Sequence, residues 1–259
     1  MDYTPEGYPL LNFKPLVIRS TFLTFVLAFY LTCLIGIIML LWRDTKRGSI
    51  HSSIPASYFA IRYLPTVAGT ITSLLWKTIR GNFTRMTPYM SMAARGSQPW
   101  RRTLGAPYNS GLGIDWGGGH WLLVAVVVQQ IILARFLVPL KSVLLTINPD
   151  SVRNGWETNI SHGVAHALIV VYTILVCSTT AMIINLWNRP TGLKWDPTSI
   201  ADQLVLLRGS DILEDFVYLD TEQRGRMNEL LADTTYKLGY WQRDGKIRHG
   251  IGRGADSST

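Results

Sequence analysis

The chain has 259 residues, of which 47% are hydrophobic and only 16% charged, with a mean hydropathy of +0.17. Soluble domains carry about 25% charged residues, so a purely soluble globular fold is excluded. The formal charge of +8 does not indicate nucleic acid, because the basic residues are spread along the flanks of apolar segments and a tail without any recognition module; attraction to anionic lipid headgroups accounts for it.

Four apolar stretches follow in order, at residues 16–42, 57–76, 121–147 and 163–187. About 20 apolar residues cross a bilayer, and inside lipid the backbone must satisfy its own hydrogen bonds, which makes each stretch a helix. None of the acidic residues lies in these stretches; the cations that do are Arg19, Arg62, Arg135 and Lys141. Residues 1–15 are mixed in character, with no clustered basic n-region, and the apolar run after them exceeds the about 7–15 residues of a signal-peptide core. The first stretch therefore reads as an uncleaved signal anchor, bounded by Arg19 and by Trp42-Arg43.

The second stretch is the weakest, because it holds Arg62, Pro65 and Gly69. It reads as a kinked helix, with a re-entrant hairpin as the alternative. The third is longer than a span needs. If the span ends near Pro139, Arg135 snorkels to the interface and residues 140–147 lie along the surface. The sharper alternative makes Gln129, Gln130 and Arg135 an intramembrane polar site, since ionisable groups in spans are functional candidates. The fourth contains Ser178, Thr179, Thr180 and Ala181, small residues that allow close helix approach; they are the expected contact of a homodimer.

Loop charge sets the orientation. Eleven Lys and Arg lie in the N-terminal segment, the 77–120 loop and the near tail, against four in the other two loops. Positive-inside then puts both termini in the cytosol. The sequon Asn159-Ile160-Ser161 falls outside and Asn82-Phe83-Thr84 inside. The expected domains are a cytosolic segment 1–15, a four-helix transmembrane region 16–187 and a cytosolic tail 188–259. In the tail, residues 198–208 read as an amphipathic helix capped by Asp196 or Thr198, with further helices at 210–220 and 222–232. Strands at 235–243 and 246–251 flank Asp244-Gly245, a hairpin turn signal. The fold class is thus an all-α membrane protein of about four transmembrane helices with a small cytosolic α+β tail.

Several ordered pieces carry a resemblance: FKPLVIR before the first span, LPTVAGTITSLLWKTIRGNFTRMTPYMSM, HWLLVAVVV, WNRPTGLKWDPTSIADQLVLLRGSDILEDF and YKLGYWQRDGKIRHGIG. Together they resemble a fungal family of multi-pass membrane proteins defined by a domain of unknown function. The WDPTSIA and LGYW elements are the most distinctive. Proteins of that kind often carry two such units, and this chain holds one. The resemblance implies a membrane architecture and no activity, substrate or catalytic residue.

His162 and His166 share a helix face at i, i+4, but a metal site needs three or four convergent ligands, so they read as interfacial histidines. GLGIDWGGG at 111–119 lacks the Gly-Lys-Ser/Thr ending of a phosphate loop. Cys33 and Cys177 lie in apolar stretches and fit no disulfide or metal framework. No catalytic residue, metal or cofactor is expected. Arg85, Tyr89, Arg101 and Arg102 form a basic element suited to a headgroup or partner contact, since Arg binds phosphate bidentately. The leading expectation is a non-enzymatic membrane scaffold or interaction protein in the plasma membrane, with the bilayer and an unidentified protein as partners and no nucleic acid. A transporter or channel component comes second and a membrane enzyme third.

Overall fold

The computed structural model describes residues 11–47, 50–52, 55–93, 97–100, 103–104, 125–126, 128–129, 132–150, 155–187, 189–208, 210, 212–217, 224–243 and 246–254. The chain divides into two units, one of Ser20–Gly81 and Trp121–Asn185, the other of Met1–Arg19, Asn82–His120 and Leu186–Thr259.

The first unit is helical. Helix α1 (Ser20–Arg47) buries Leu23, Val26, Tyr30 and Ile37, a single stripe at three-, four- and seven-residue spacing. Helix α4 (His162–Trp187) buries Ala165, Leu168, Tyr172, Leu175, Thr179 and Met182 at the same period. Their outer faces are equally apolar. Phe25 is 68% exposed, Met39 59%, Val170 58% and Ile184 67%. A helix apolar all round that is mostly unburied suits lipid rather than a soluble core. Ser20–Lys46 and His162–Trp187 are the two helices, among the described residues, long and apolar enough to cross a membrane.

Hydroxyls on the exposed faces do not need water. Thr24, Thr32, Thr70, Thr173 and Thr180 each donate to the carbonyl four residues earlier, at 2.8–3.0 Å. Inside the unit, Thr72 of α2 (Pro55–Met92) shares a hydrogen bond of 3.1 Å with the Tyr172 hydroxyl, and the Trp76 indole donates to the Val126 carbonyl at 3.3 Å.

Three expectations are revised. Helix α2 is continuous from Pro55 to Met92, through Pro65, so the re-entrant hairpin is not formed. It does not pass as a span of its own among the described residues, because Pro65, Thr66, Gly69, Thr70, Thr72 and Ser73 dilute its apolar character. In the third stretch, a π-helical turn at Leu133–Leu137 leads into α3 (Val138–Val143), and the segment expected to lie along the surface, residues 140–147, ends α3 and enters a strand at Leu145. Thr146 and Ile147 are β-branched and favour that state. Strands β3 (Leu145–Asp150) and β4 (Gly155–Ile160) are antiparallel, and β1 (Ile50–Ser52) adds to the other edge of β4 with Ile50 opposite Thr158. Beside them His162 Nε2 lies 3.0 Å from Asp44 Oδ2, linking the end of α1 to the start of α4.

The second unit mixes short helices with a sheet. Its strands β2 (Gln98–Pro99), β5 (Thr235–Arg243) and β6 (Lys246–Arg253) are antiparallel in the order β2-β5-β6. The register pairs Tyr240 with His249 and Arg243 with Lys246; Asp244 and Gly245 lie outside the described residues. Trp100, Tyr236, Leu238 and Ile251 are buried on this sheet together with Leu206 and Ile212. Those two come from α5 (Ile200–Leu207) and α6 (Ile212–Phe216), which precede α7 (Arg224–Leu230). The cap of α5 is Ser199, not Asp196 or Thr198. Its hydroxyl accepts from Asp202 N–H at 3.1 Å and the Asp202 carboxylate accepts from Ser199 N–H at 2.9 Å, a capping box. These bonds to the ionised form hold the Asp202 carboxyl below its usual range.

A Cβ built at Gly252 would strike the Trp241 ring, whose indole N–H donates to the Gly250 carbonyl at 3.0 Å. Gly252→Ala should therefore destabilise the hairpin by about 1–3 kcal/mol, the usual cost of overpacking. Limited proteolysis of the detergent-purified protein should show faster cleavage in the 235–253 region, while α1 and α4 stay protected.

Candidate functional site

Polar chemistry in the second unit concentrates where the end of α2, the segment after α4 and the hairpin meet. Arg85 and Tyr89 are four residues apart on α2 and share a face. The Arg85 Nη2 donates to Asp196 Oδ2 at 2.8 Å and to Asn82 Oδ1 at 3.1 Å. Tyr89 lies beside this pair; burial raises its pKa, Arg85 opposes that and Asp196 adds to it.

Asp196 reaches α2 because the chain turns sharply just before it. Gly192 has φ +68°, in the left-handed region that glycine enters without steric cost. A Cβ there would lie 2.6 Å from Ala93 Cβ and 3.0 Å from Leu238 Cδ2, so the segment is pressed between the end of α2 and strand β5. Its carbonyl accepts from His249 Nε2 at 2.9 Å, which makes Nε2 the protonated nitrogen. Trp195 and Tyr240 stand edge-on to the imidazole, with centroids 6.3 and 5.6 Å away. Desolvation is the largest cause of a lowered His249 pKa; the Gly192 carbonyl opposes it and Lys194 adds to it.

Two further links close the unit. Tyr236 donates to Asp215 Oδ2 at 3.2 Å and Arg253 pairs with Asp215 Oδ1 at 3.0 Å, tying α6 to the sheet. Burial is the main reason the Tyr236 hydroxyl is pushed up to about 12. At the N-terminal side, Phe13 N–H donates to the Leu193 carbonyl at 2.9 Å, Thr191 Oγ1 to the Phe13 carbonyl at 2.7 Å and Lys14 Nζ to the Leu186 carbonyl at 2.5 Å. Desolvation lowers the Lys14 pKa.

Of the basic element read from sequence, Arg85 is engaged by Asp196 and Tyr89 is half-buried beside them; Arg101 and Arg102 lie outside the described residues. Of the intramembrane set, Gln129 is buried in the helical unit. Its Nε2 donates to the Ile174 carbonyl at 3.1 Å and to Ser178 Oγ at 2.6 Å, and its Oε1 has no partner among the described residues. Gln130 and the Arg135 side chain lie outside the described residues; Arg135 itself sits in the π-helical turn. Ser178 and Thr179, half of the stripe expected to form a dimer contact, are thereby turned into the unit, with Thr179 fully buried and Thr180 exposed. His166 Nδ1 lies 2.7 Å from the His162 carbonyl. The roles of Asp196 and His249 were not legible in sequence, because their partners lie 111 and 57 residues away and no spacing rule reaches that far.

Residues 59–146 match a family described as "Protein of unknown function (DUF3433)". The matched stretch takes in most of α2, including Arg85 and Tyr89, and ends within β3. Asp196, His249 and the hairpin lie beyond it. Neither the curated proteins nor the solved structures include a match to this chain.

The lowered His249 pKa makes the second unit sensitive to acid. A histidine depressed below its ordinary 6.5 binds fewer protons folded than unfolded. Its contribution is complete above pH 6.5 and is lost as pH falls through 6.5 toward the folded value. Thermal unfolding of the unit should shift downward between pH 7.5 and 5.5, and His249→Gln should flatten that dependence.

Proposed function

We propose that the chain is a four-span membrane scaffold that holds a rigid cytosolic module for partner proteins, with both termini in the cytosol. The observation that carries this reading is the way the second unit is assembled. Residues 11–19, the end of α2, the segment around Gly192–Asp196 and strand β6 are joined by the Arg85–Asp196 pair, the Phe13–Leu193 and Lys14–Leu186 bonds and the His249–Gly192 bond. A unit assembled from three separate stretches of the chain has their relative positions fixed by those links, and preorganisation of this kind lowers the cost of binding. The charged groups named in these links serve the fold, which suits a platform better than a reaction centre.

Strand pairing supports the four-span arrangement. The β1 loop follows α1 and the β3–β4 loop precedes α4, and their strands form one sheet. Two loops that share a sheet lie at the same end of the helices, as the first and third loops of an even-numbered bundle must. The excess of Lys and Arg in the remaining segments orients that end away from the cytosol. The plasma membrane and an anionic headgroup contact by Arg101 and Arg102 complete the reading.

A transporter or channel component is the second reading, and the orphan Gln129 Oε1 inside the helical unit is what favours it.

Cysteine labelling tests the topology. In a background without Cys33 and Cys177, Asn159→Cys should react with an impermeant maleimide on intact cells and Lys194→Cys only after permeabilisation; reaction at both from outside would overturn the four-span reading. Affinity purification in nanodiscs tests the scaffold. Asp196→Ala should strip a partner that wild type retains, since losing a hydrogen bond to a charged group costs about 1.5–3 kcal/mol, and Gln129→Leu should leave it bound. The absence of any reproducible partner of the wild type would remove the scaffold reading.

A further inference from the structure

Two helices of the second unit expose apolar side chains outside any span. On α5, Ile200 is 76% exposed, Leu204 59% and Val205 49%, while Leu206 on the opposite side is buried against β6. On α6, Leu213 is 47% exposed, with Val217 just beyond it at 60%. Ile200 and Leu204 are one turn apart and form a stripe. A stripe of this kind on a water-facing helix is a contact surface without its partner.

We infer that α5 lies in the bilayer interface, with Ile200, Leu204 and Val205 inserted among the headgroups and the start of the acyl chains. Three observations identify lipid as the occupant, and the inference rests on the membrane reading above. The first is reach. Leu193 is hydrogen-bonded to Phe13, three residues before Leu16 at the entry to the first span. Ile200 comes seven positions after Leu193, at most about 25 Å of extended chain, so α5 is tethered within that reach of Phe13 in the same unit. The second is continuity. Leu16 and Trp187, at the ends of the first and last spans, belong to the same unit and are 69% and 70% exposed; Trp at such a position sits at headgroup level. The third is charge. Arg208 caps the C-terminal end of α5, and Arg189 and Lys194 precede the helix in the chain; all three are exposed. Asp202, the single acidic residue on the helix, is held in the Ser199 capping box. A short apolar stripe flanked by cations matches the interfacial helix pattern, in which the apolar face sinks about 5–10 Å and cations meet anionic lipid.

Nitroxide labels at single cysteines decide the matter in the full chain. The protein, without its two native cysteines, is placed in nanodiscs of phosphatidylcholine and phosphatidylserine and labelled at Leu204, Gln203 or Ile184. Collision with oxygen reports lipid, and collision with a water-soluble nickel chelate reports water. The label at Leu204 should favour oxygen over nickel several-fold more than the label at Gln203. Equal nickel access at both positions would overturn the inference and place the stripe in water. Exclusion of both reagents at Leu204 would also overturn it, by showing a protein cover such as a second copy. The label at Ile184, 67% exposed on α4, separates the two levels. If it too is nickel-accessible, the membrane reading fails along with the inference. If it is in lipid while Leu204 is not, the inference alone fails.

Discussion

Polar backbone groups that face hydrocarbon must be satisfied from within their own segment, since each unsatisfied group costs several kcal/mol. The helical unit obeys this constraint at the level of side chains as well. Thr24, Thr32, Thr173 and Thr180 turn their hydroxyls back to carbonyls of the preceding turn, so α1 and α4 present almost no free polar atom on their outward faces. Threonine thus behaves there as a small apolar residue. Because the outer faces ask for nothing, polar groups that need partners are gathered inside, as Thr72 with Tyr172 and Gln129 with Ser178. These bonds join α2 and the third apolar segment, both poor in continuous apolar character, to α4. Hydrogen bonds between helices in lipid are individually weak, averaging about 0.6 kcal/mol, so they fix the register of the packed stripes and leave most of the cohesion to packing.

The second unit meets the opposite problem. The helices that follow α4 are short, and helices below about 12 residues are marginal without tertiary support. Its solution is cross-linking by polar pins across long sequence separations. Arg85–Asp196, Asp215 with Tyr236 and Arg253, and His249 with the Gly192 carbonyl each join a helix or loop to the sheet or to α2. The pins are half-buried, which makes each worth more than a surface pair and less demanding than a buried one. They also explain why an exposed apolar stripe on α5 is tolerated. Leu206 on the inner side anchors the helix to β6, leaving Ile200 and Leu204 to a surface outside the protein.

The amino-acid sequence by itself determined the elements whose signals are local. The length of their apolar runs marked α1 and α4, and the alternation of Tyr236, Leu238 and Tyr240 ahead of Asp244-Gly245 marked the hairpin strands, whereas the cap of α5 fell on Ser199 rather than on Asp196 or Thr198. Length and composition pointed to helices long and apolar enough to cross a membrane for the same reason, since they need no knowledge of neighbours. Tertiary structure alone decided what those elements meet. The joining of β1 to the free edge of β4 depends on two loops far apart in the chain meeting, and the commitment of Arg85 to Asp196 depends on the segment after α4 meeting the end of α2. The inward turn of Ser178 and Thr179 depends on Gln129 arriving from another segment. Each of these rests on contacts between residues about 50 to 110 positions apart, a distance over which periodicity and spacing carry no information and only chain packing selects the partner.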